Sequence, residues 1–177
     1  QPLRLYGAGA DSGTFDYFTE AIVGKAKAIR TDYQPTEDDN VTIKGVAGDT
    51  YAMGFLGYAY YEENKDKVKA VAIDHGKGCV LPSRETVLDG TYQPLSRPLF
   101  IYVNVKSLDR PEVQAFVDFY LSPAARRAIR STGYVELPSE AYRIGQELVK
   151  RRKAGTFFME LPAGTPLSKF IQELDKE

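Results

Sequence analysis

Residues 11–14, Asp-Ser-Gly-Thr, have the types and spacing expected of an anion-binding turn. They follow the strand-like stretch Leu3–Tyr6 and precede an amphipathic pattern, so the sequence predicts a strand, a glycine-rich turn and a helix start. The first turn of a helix has backbone N–H groups without partners and carries about half a positive charge. The hydroxyls of Ser12 and Thr14 add donors, and Gly13 lets the backbone approach a ligand closely. Phosphate is the natural anion for this arrangement.

Asp11 gives the turn a means of distinguishing phosphate from sulfate. A carboxylate only accepts hydrogen bonds, so Asp11 can accept the proton that phosphate retains at neutral pH. Sulfate has no such proton and would leave the carboxylate unpaired beside an anion, at a cost of several kcal/mol. Helix capping is the alternative explanation for Asp11 and Ser12, because both residue types are favoured caps.

The composition excludes several other classes of ligand. The 177-residue chain has a formal net charge of −1, so it has no broad basic field for nucleic acid or an acidic membrane. No apolar run approaches the ~20 residues of a membrane span. One histidine and one cysteine cannot build a usual zinc site, and the acidic run 37–39 lacks the pattern of a calcium loop. We therefore expect no metal and no cofactor.

A serine hydrolase is the enzymatic alternative for Ala10–Gly13. Its only candidate base is His75, which lies in a glycine-rich turn with nothing in the sequence to place it beside Ser12. We therefore expect a binding protein without catalytic residues.

The elements that position the turn follow an α/β pattern in the first half of the chain and a helical pattern in the second. In the first half, the spacing predicts a helix ending at Gly24, a loop over 30–40 and strands over 41–46, 54–61 and 68–73. In the second half it predicts a strand over 99–104 and helices near 111–120, 122–133 and 139–153. An irregular segment past Gly155 then precedes a last helix over 167–174. The helical half has apolar faces and few strands to cover, so we expect it to pack on polypeptide outside this chain.

Several segments, taken in order, resemble the phosphate-binding proteins of ABC transporters, the PstS-like family. Segment 11–18 is similar to the family's ligand-binding turn, and the later matching segments are 45–49, 54–61, 96–102 and 133–138. The resemblance implies an α/β fold like that of the type II periplasmic binding proteins, with inorganic phosphate held between two lobes. It also implies a periplasmic or extracellular protein that passes phosphate to an ABC permease, with a cell-surface anchor through the N-terminus as one alternative. An oxyanion sensor or interaction module of the same fold is the alternative role.

The resemblance covers only the C-terminal part of the family. It implies that residues 1–95 are the second, ligand-binding lobe, and that residues 96–177 are a hinge strand over 99–103 and the helices that complete the first lobe. The N-terminal part of that lobe is then missing, and we expect it as a partner, with a separate chain as one alternative. Because the chain begins at Gln1 directly in a strand-like segment, we expect a processed or truncated polypeptide.

One position departs from the family's pattern. Many members place an arginine and an aspartate a few residues before Ser-Gly-Thr, where this chain has Ala8 and Ala10. Either another cation substitutes, or the site relies on neutral donors. Arg30 is the first candidate for that cation, and a solvated surface charge is its alternative explanation. The expected phosphate contacts are Asp11, Ser12, Gly13 and Thr14, with Arg30 as a weaker candidate.

Overall fold

The computed structural model describes residues 1–155 and 161–176. Its first third contains the parallel strands β1 (Arg4–Ala8), β2 (Gln34–Thr36) and β3 (Ala52–Phe55), joined by the helices α1 (Gly13–Val23) and α2 (Asp39–Ala47). The strand order is β2-β1-β3, with Tyr6 of the central strand opposite Gln34 on one side and Gly54 on the other. Parallel strands require such crossover helices, so this unit confirms the α/β class predicted from the sequence.

Helix α1 begins and ends where the sequence predicts. Ser12 caps its start, because the Ser12 hydroxyl accepts a hydrogen bond from the Thr14 N–H at 3.2 Å. Gly24 ends it in the left-handed region, at a φ of +76°. On its inner face, Phe15 and Thr19 are buried. These features fix the N-terminus of α1 just beyond the carboxyl end of β1.

The strand predicted over 41–46 is wrong, because these residues form most of α2. Asp38 caps this helix by accepting a hydrogen bond from the Asn40 N–H at 2.9 Å. The adjacent residues Thr42 and Ile43 are both buried, at 0% and 3% exposure, which an alternating strand with one exposed face does not allow. The predicted loop over 30–40 likewise contains β2 and the start of α2.

The single strand predicted over 54–61 is a strand end followed by a helix. Strand β3 ends at Phe55, Gly57 is extended, and α3 (Tyr58–Glu63) follows. A short apolar and aromatic run fits both periodicities, so the sequence pattern alone favoured the wrong one.

The strand predicted over 68–73 is also mostly wrong, since only Ile73 pairs. It lies in a short hairpin of β4 (Ile73–Asp74) and β5 (Cys79–Val80), whose turn is closed by the Asp74 carboxylate accepting from the N–H groups of Gly76 and Gly78. A helix that the sequence analysis did not predict, α4 (Arg84–Leu88), follows with Ser83 as its cap.

The helices predicted for the second half are confirmed. They are α5 (Pro111–Tyr120), α6 (Pro123–Ser131), α7 (Ser139–Lys150) and α8 (Leu167–Asp175), preceded by a 3-10 helix over 105–109. Ser122 caps α6, and Pro123 occupies its first position, as predicted. Their core includes Val117, Tyr142 and Ile144. The irregular segment predicted past Gly155 lies partly at 156–160, outside the described residues. No helix in the described part of the chain is both long and apolar enough to cross a membrane.

Residues 99–104, predicted as an apolar strand, form no strand with any described residue. Four consecutive apolar side chains of this segment are exposed: Leu99 by 58%, Phe100 by 40%, Ile101 by 39% and Tyr102 by 74%. A strand needs a neighbour to pair its backbone N–H and C=O groups, and the described chain offers none here. The apolar character was recognised correctly, but the strand it predicted is wrong for this chain.

A buried carboxylate joins the α/β unit to the helical half. Glu136, 9% exposed, pairs with Arg84 at the start of α4 and with Arg130 of α6. Arg130 Nη1 lies 2.9 Å from Glu136 Oε1, and Arg84 Nε lies 3.3 Å from Oε2. The hydrogen bond from Arg84, followed by a backbone hydrogen bond at Glu136 and the hydrogen bond from Arg130, lowers the pKa of Glu136 to about 2. The cluster therefore connects elements 52 residues apart in the sequence.

Candidate functional site

The first turn of α1 retains several hydrogen-bond donors without partners. Its first backbone bond runs from Asp16 N–H to Ser12 C=O at 3.2 Å, and the Thr14 N–H is used by the Ser12 cap. Within the described residues, the N–H groups of Gly13 and Phe15 and the hydroxyl of Thr14 make no hydrogen bond. The Ser12 hydroxyl accepts from Thr14 and keeps its own proton to donate. These donors are what an oxyanion requires.

Asp11 lies at the outer edge of this turn. Its side chain is exposed, and its backbone N–H points to the Glu37 carboxylate, with the nitrogen 3.4 Å from Oε1. The turn itself is closed by the Ser12 N–H, which donates to Gly9 C=O at 3.1 Å. The structure therefore brings together all four residues predicted from the Asp-Ser-Gly-Thr run, with both the capping and the binding interpretation compatible with their geometry.

The Glu37 carboxylate, which the sequence analysis did not place at the site, lies over the glycine turn. A β-carbon on Gly9 would overlap its Oε1 atom, so the carboxylate in this position lies directly against the glycine backbone. Glu37 directly follows β2, which pairs with β1, and the Gly9 N–H donates to Thr36 C=O at 3.1 Å. Sequence reasoning missed Glu37 because it treated 30–40 as a loop. Only the pairing of β2 with β1 reveals that residue 37 faces the turn.

The predicted cation, Arg30, is paired with a carboxylate close to it in sequence. Its Nε and Nη2 atoms lie 2.7 and 2.6 Å from the two oxygens of Asp32, and its side chain is 69% exposed. The hydrogen bonds raise the pKa of Arg30 and lower the pKa of Asp32. In this structure the positive charge of Arg30 is thus compensated by Asp32 instead of facing the turn uncompensated.

A different arginine lies against the first turn of α1. Arg97 Nη2 is 3.2 Å from the point where a β-carbon of Gly13 would stand. Its guanidinium carbon is 5.1 Å from the centre of the Tyr17 ring. Arg97 is exposed and makes no hydrogen bond or ion pair with another described residue. The sequence offered one signal, a Ser-Arg-Pro run resembling the family, but nothing that placed it beside residue 13.

Tyr17 attaches the chain around Arg97 to α1. The Tyr17 hydroxyl lies 2.7 Å from Pro94 C=O and 3.0 Å from Ser96 C=O, and it accepts a hydrogen bond from the Gly164 N–H at 3.1 Å. Burial raises the pKa of Tyr17, so its hydroxyl remains protonated and able to donate. Helix α1, the segment before Arg97 and the chain near residue 164 are therefore held together at one atom.

The turn opens at the edge of a much larger groove. Thr14, Tyr17, Arg30 and Arg97 line part of a groove of about 1630 Å³, which extends past α3 and α7 and along the exposed apolar segment 99–103. Ligand pockets for small molecules are usually about 300–1,000 Å³. The groove is therefore larger than a phosphate ion needs. Among the described residues, no three His, Cys, Asp or Glu side chains are grouped so as to hold a metal ion.

Known proteins similar to this chain include phosphate-binding proteins. The family model described as "PBP superfamily domain" matches residues 1–124. Protein SphX of Synechocystis is 51% identical over 96% of this chain and 52% of its own length. The phosphate-binding protein PstS of Staphylococcus haemolyticus is 36% identical over 80% of this chain and 44% of its own length. The crystal structure of a possible phosphate binding protein from Planctomyces limnophilus also matches. The alignment covers 87% of this chain and 55% of that one, with 43% identity and a TM-score of 0.71.

The chain spans about half the length of the curated relatives it matches. These names agree with the expectation of a binding protein and not an enzyme, and the matched structure confirms the fold class. By the match over residues 1–124, the chain belongs to the PBP superfamily, and its relatives make it PstS-like.

Proposed function

We propose that this chain is the C-terminal part of an extracytoplasmic phosphate-binding protein and binds inorganic phosphate at the N-terminus of α1. The observation that carries the proposal is the group of unused donors in the first turn: the N–H groups of Gly13 and Phe15 and the hydroxyls of Ser12 and Thr14. They occur in a chain that is 36% identical to each of two phosphate-binding proteins, over 143 and 142 aligned residues.

In this proposal Asp11 selects the ligand. Its exposed carboxylate lies next to the donors and accepts the proton that phosphate carries and sulfate lacks. Arg30 can contact the anion only if it first breaks its hydrogen bonds to Asp32. Those two bonds are short, so they oppose the change of partner. Arg30 is therefore the weakest of the five predicted contacts.

We further propose that the groove is covered by polypeptide corresponding to the other half of the relatives. The relatives are about twice as long as this chain, and the groove is lined by the exposed apolar segment 99–103. In this arrangement residues 1–95 form one lobe, and residues 96–177 cross to the other lobe and complete it. Transfer of phosphate to an ABC permease from the periplasm or cell surface is the corresponding role of the complete protein.

The experiment is a titration of the ¹⁵N-labelled 177-residue chain with sodium phosphate, followed by the amide signals of Gly13 and Thr14. We expect saturable shifts with phosphate and much smaller ones with sulfate at equal ionic strength. The double variant Ser12→Ala/Thr14→Ala removes both hydroxyls and should abolish the shifts. Ser122→Ala is the matched control, because it removes the equivalent cap from α6 and leaves α1 untouched.

Two results would refute the proposed site. The first is a parent chain whose Gly13 and Thr14 amides do not respond to phosphate at millimolar concentration. The second is a double variant that binds phosphate as tightly as the Ser122→Ala control.

A further inference from the structure

We propose that Arg97, oriented by Tyr17, is the cation that pairs with the anion bound at the first turn of α1, an inference that rests on the proposed phosphate function and deepens it. The role expected for Arg30 then belongs to a residue on the segment that leaves the α/β unit. Arg97 is the contact residue, and Tyr17 is a positioning residue.

The location of the guanidinium supports this assignment. Arg97 Nη2 stands 3.2 Å from the β-carbon position of Gly13, whose N–H is one of the unused donors. Arg97 and Thr14 both line the groove. An arginine presents five N–H donors in a planar fork that matches the oxygens of a phosphate. The fork and the helix donors can therefore bind oxygens of the same ion.

The charge of Arg97 is uncompensated within the described chain. Most described arginines have a carboxylate within 4.0 Å, as Arg30 has Asp32 and Arg130 has Glu136. Among the described residues, the Arg97 guanidinium makes no hydrogen bond or ion pair, and it lies over the face of the Tyr17 ring, 5.1 Å from its centre. A cation–π contact orients a guanidinium without cancelling its charge and leaves its N–H groups free. Arg97 is therefore held in place and still able to bind an anion.

Tyr17 positions Arg97 beside the turn through both its ring and its hydroxyl. The ring lies against the guanidinium, and the hydroxyl binds Pro94 C=O and Ser96 C=O just before Arg97. Tyr17 is itself part of α1, one turn after Gly13. The helix that provides the donors thus also fixes the cation.

The carboxylates near the turn make such a cation necessary. Asp11 lies beside the donors, and Glu37 lies over Gly9 with its Oε1 atom 3.4 Å from the Asp11 nitrogen. Both carboxylates are negatively charged and oppose the binding of a phosphate anion, and a helix terminus supplies only about half a positive charge to offset them. The full charge of Arg97 restores a net attraction.

The test compares phosphate affinities of the 177-residue chain and its variants by calorimetric titration with sodium phosphate at low ionic strength. We expect Arg97→Gln to weaken binding about tenfold or more, because it removes charge-assisted hydrogen bonds. Arg127→Gln is the matched control: it removes the same charge from an exposed arginine of α6 that has no hydrogen bond or ion pair to a described residue, and it should change affinity less than twofold. Arg97→Lys should recover part of the loss.

Two further readouts separate a binding role from a structural one. The side-chain Nε–Hε signal of Arg97 should shift in the parent during the phosphate titration, whereas the corresponding signal of Arg127 should not. Tyr17→Phe keeps the ring and loses the hydroxyl, whereas Tyr17→Leu loses both, so Tyr17→Leu should weaken binding more. Salt should weaken binding to the parent more steeply than to Arg97→Gln, because the screened attraction is absent from the variant.

Three results would overturn the inference: an Arg97→Gln affinity within twofold of the parent, an unshifted Arg97 Nε–Hε signal, or a larger loss for Arg30→Gln than for Arg97→Gln. In each case the amides of Gly13 and Thr14 still respond to phosphate in the parent, and the proposed site stands. If those amides do not respond in the parent, the proposed function fails, and this inference fails with it.

Discussion

Replacing Glu136 by glutamine should destabilise the protein at neutral pH and have a smaller effect in acid. The carboxylate is 9% exposed and binds Arg84 and Arg130, which lower its pKa from 4.5 to about 2. A shift of that size corresponds to at most about 3 kcal/mol of stability. Because the side chains of Arg84 and Arg130 are 55% and 46% exposed, water screens the interaction, and we expect Glu136→Gln to cost about 1–2 kcal/mol at pH 7.

The direction of the pH dependence follows from the sign of the shift. A carboxylate whose pKa is lowered by folding stabilises the folded state fully above its unfolded pKa of 4.5, and this contribution is lost as the pH falls towards about 2. The free energies of unfolding of the parent and of Glu136→Gln should therefore differ most at pH 7, begin to converge below about pH 4.5 and become nearly equal only near pH 2.

Urea unfolding followed by circular dichroism at pH 7, 5 and 3.5 measures this difference. The matched control is Glu140→Gln, since Glu140 also pairs with an arginine, Arg143, but is 52% exposed. It should cost less than about 0.5 kcal/mol. Equal unfolding free energies for the parent and Glu136→Gln at pH 7 would refute the reasoning. A loss for Glu136→Gln that stays constant from pH 7 to 3.5 would do so as well, because it would not arise from the charge.

Three predictions concern the anion turn and use the same phosphate titration. Asp11→Asn should reduce the preference for phosphate over sulfate, and an unchanged ratio of affinities would remove Asp11 from that role. Glu37→Gln should raise phosphate affinity severalfold, because it removes a negative charge beside the donors; a fall in affinity would contradict the repulsion. Gly13→Ala should weaken binding by displacing Arg97, whose Nη2 would lie 3.2 Å from the added carbon, without lowering the melting temperature; unchanged affinity would exclude that close approach.

Local signals made α1 and the C-terminal helices predictable. Ser12 and Gly24 bracket α1, and Ser122 with Pro123 opens α6; each acts through backbone groups within a few residues of itself. The same kind of signal existed for α2 at Asp38, but the alternating apolar residues that follow it favoured a strand. The error shows that a cap immediately before an ambiguous pattern is better evidence than the pattern.

The residues that lie beside the anion-binding turn, residues 11–14, could not be predicted from such local signals. Arg97 reaches Gly13 because the Tyr17 hydroxyl binds the backbone carbonyls of residues 94 and 96, and a backbone carbonyl has no sequence signature. Glu37 reaches Gly9 through the pairing of β2 with β1, a contact between short strands that composition does not reveal. Only the Arg30–Asp32 pair could have been suspected, since a carboxylate two residues away is an obvious competitor for the arginine.

The position of Arg97 links the anion turn to the groove. On the proposed arrangement, polypeptide covering the groove also covers Thr14 and Arg97 and removes water from them. A charge-assisted hydrogen bond strengthens as the surrounding dielectric falls, so phosphate would bind more tightly to the covered chain than to the open one. Linkage requires the reverse effect to be equal: phosphate must raise the affinity of the groove for its covering polypeptide by the same factor. Arg97 lies close to the turn and just before the exposed segment 99–103. It is therefore placed to affect both phosphate binding at the turn and polypeptide binding in the groove.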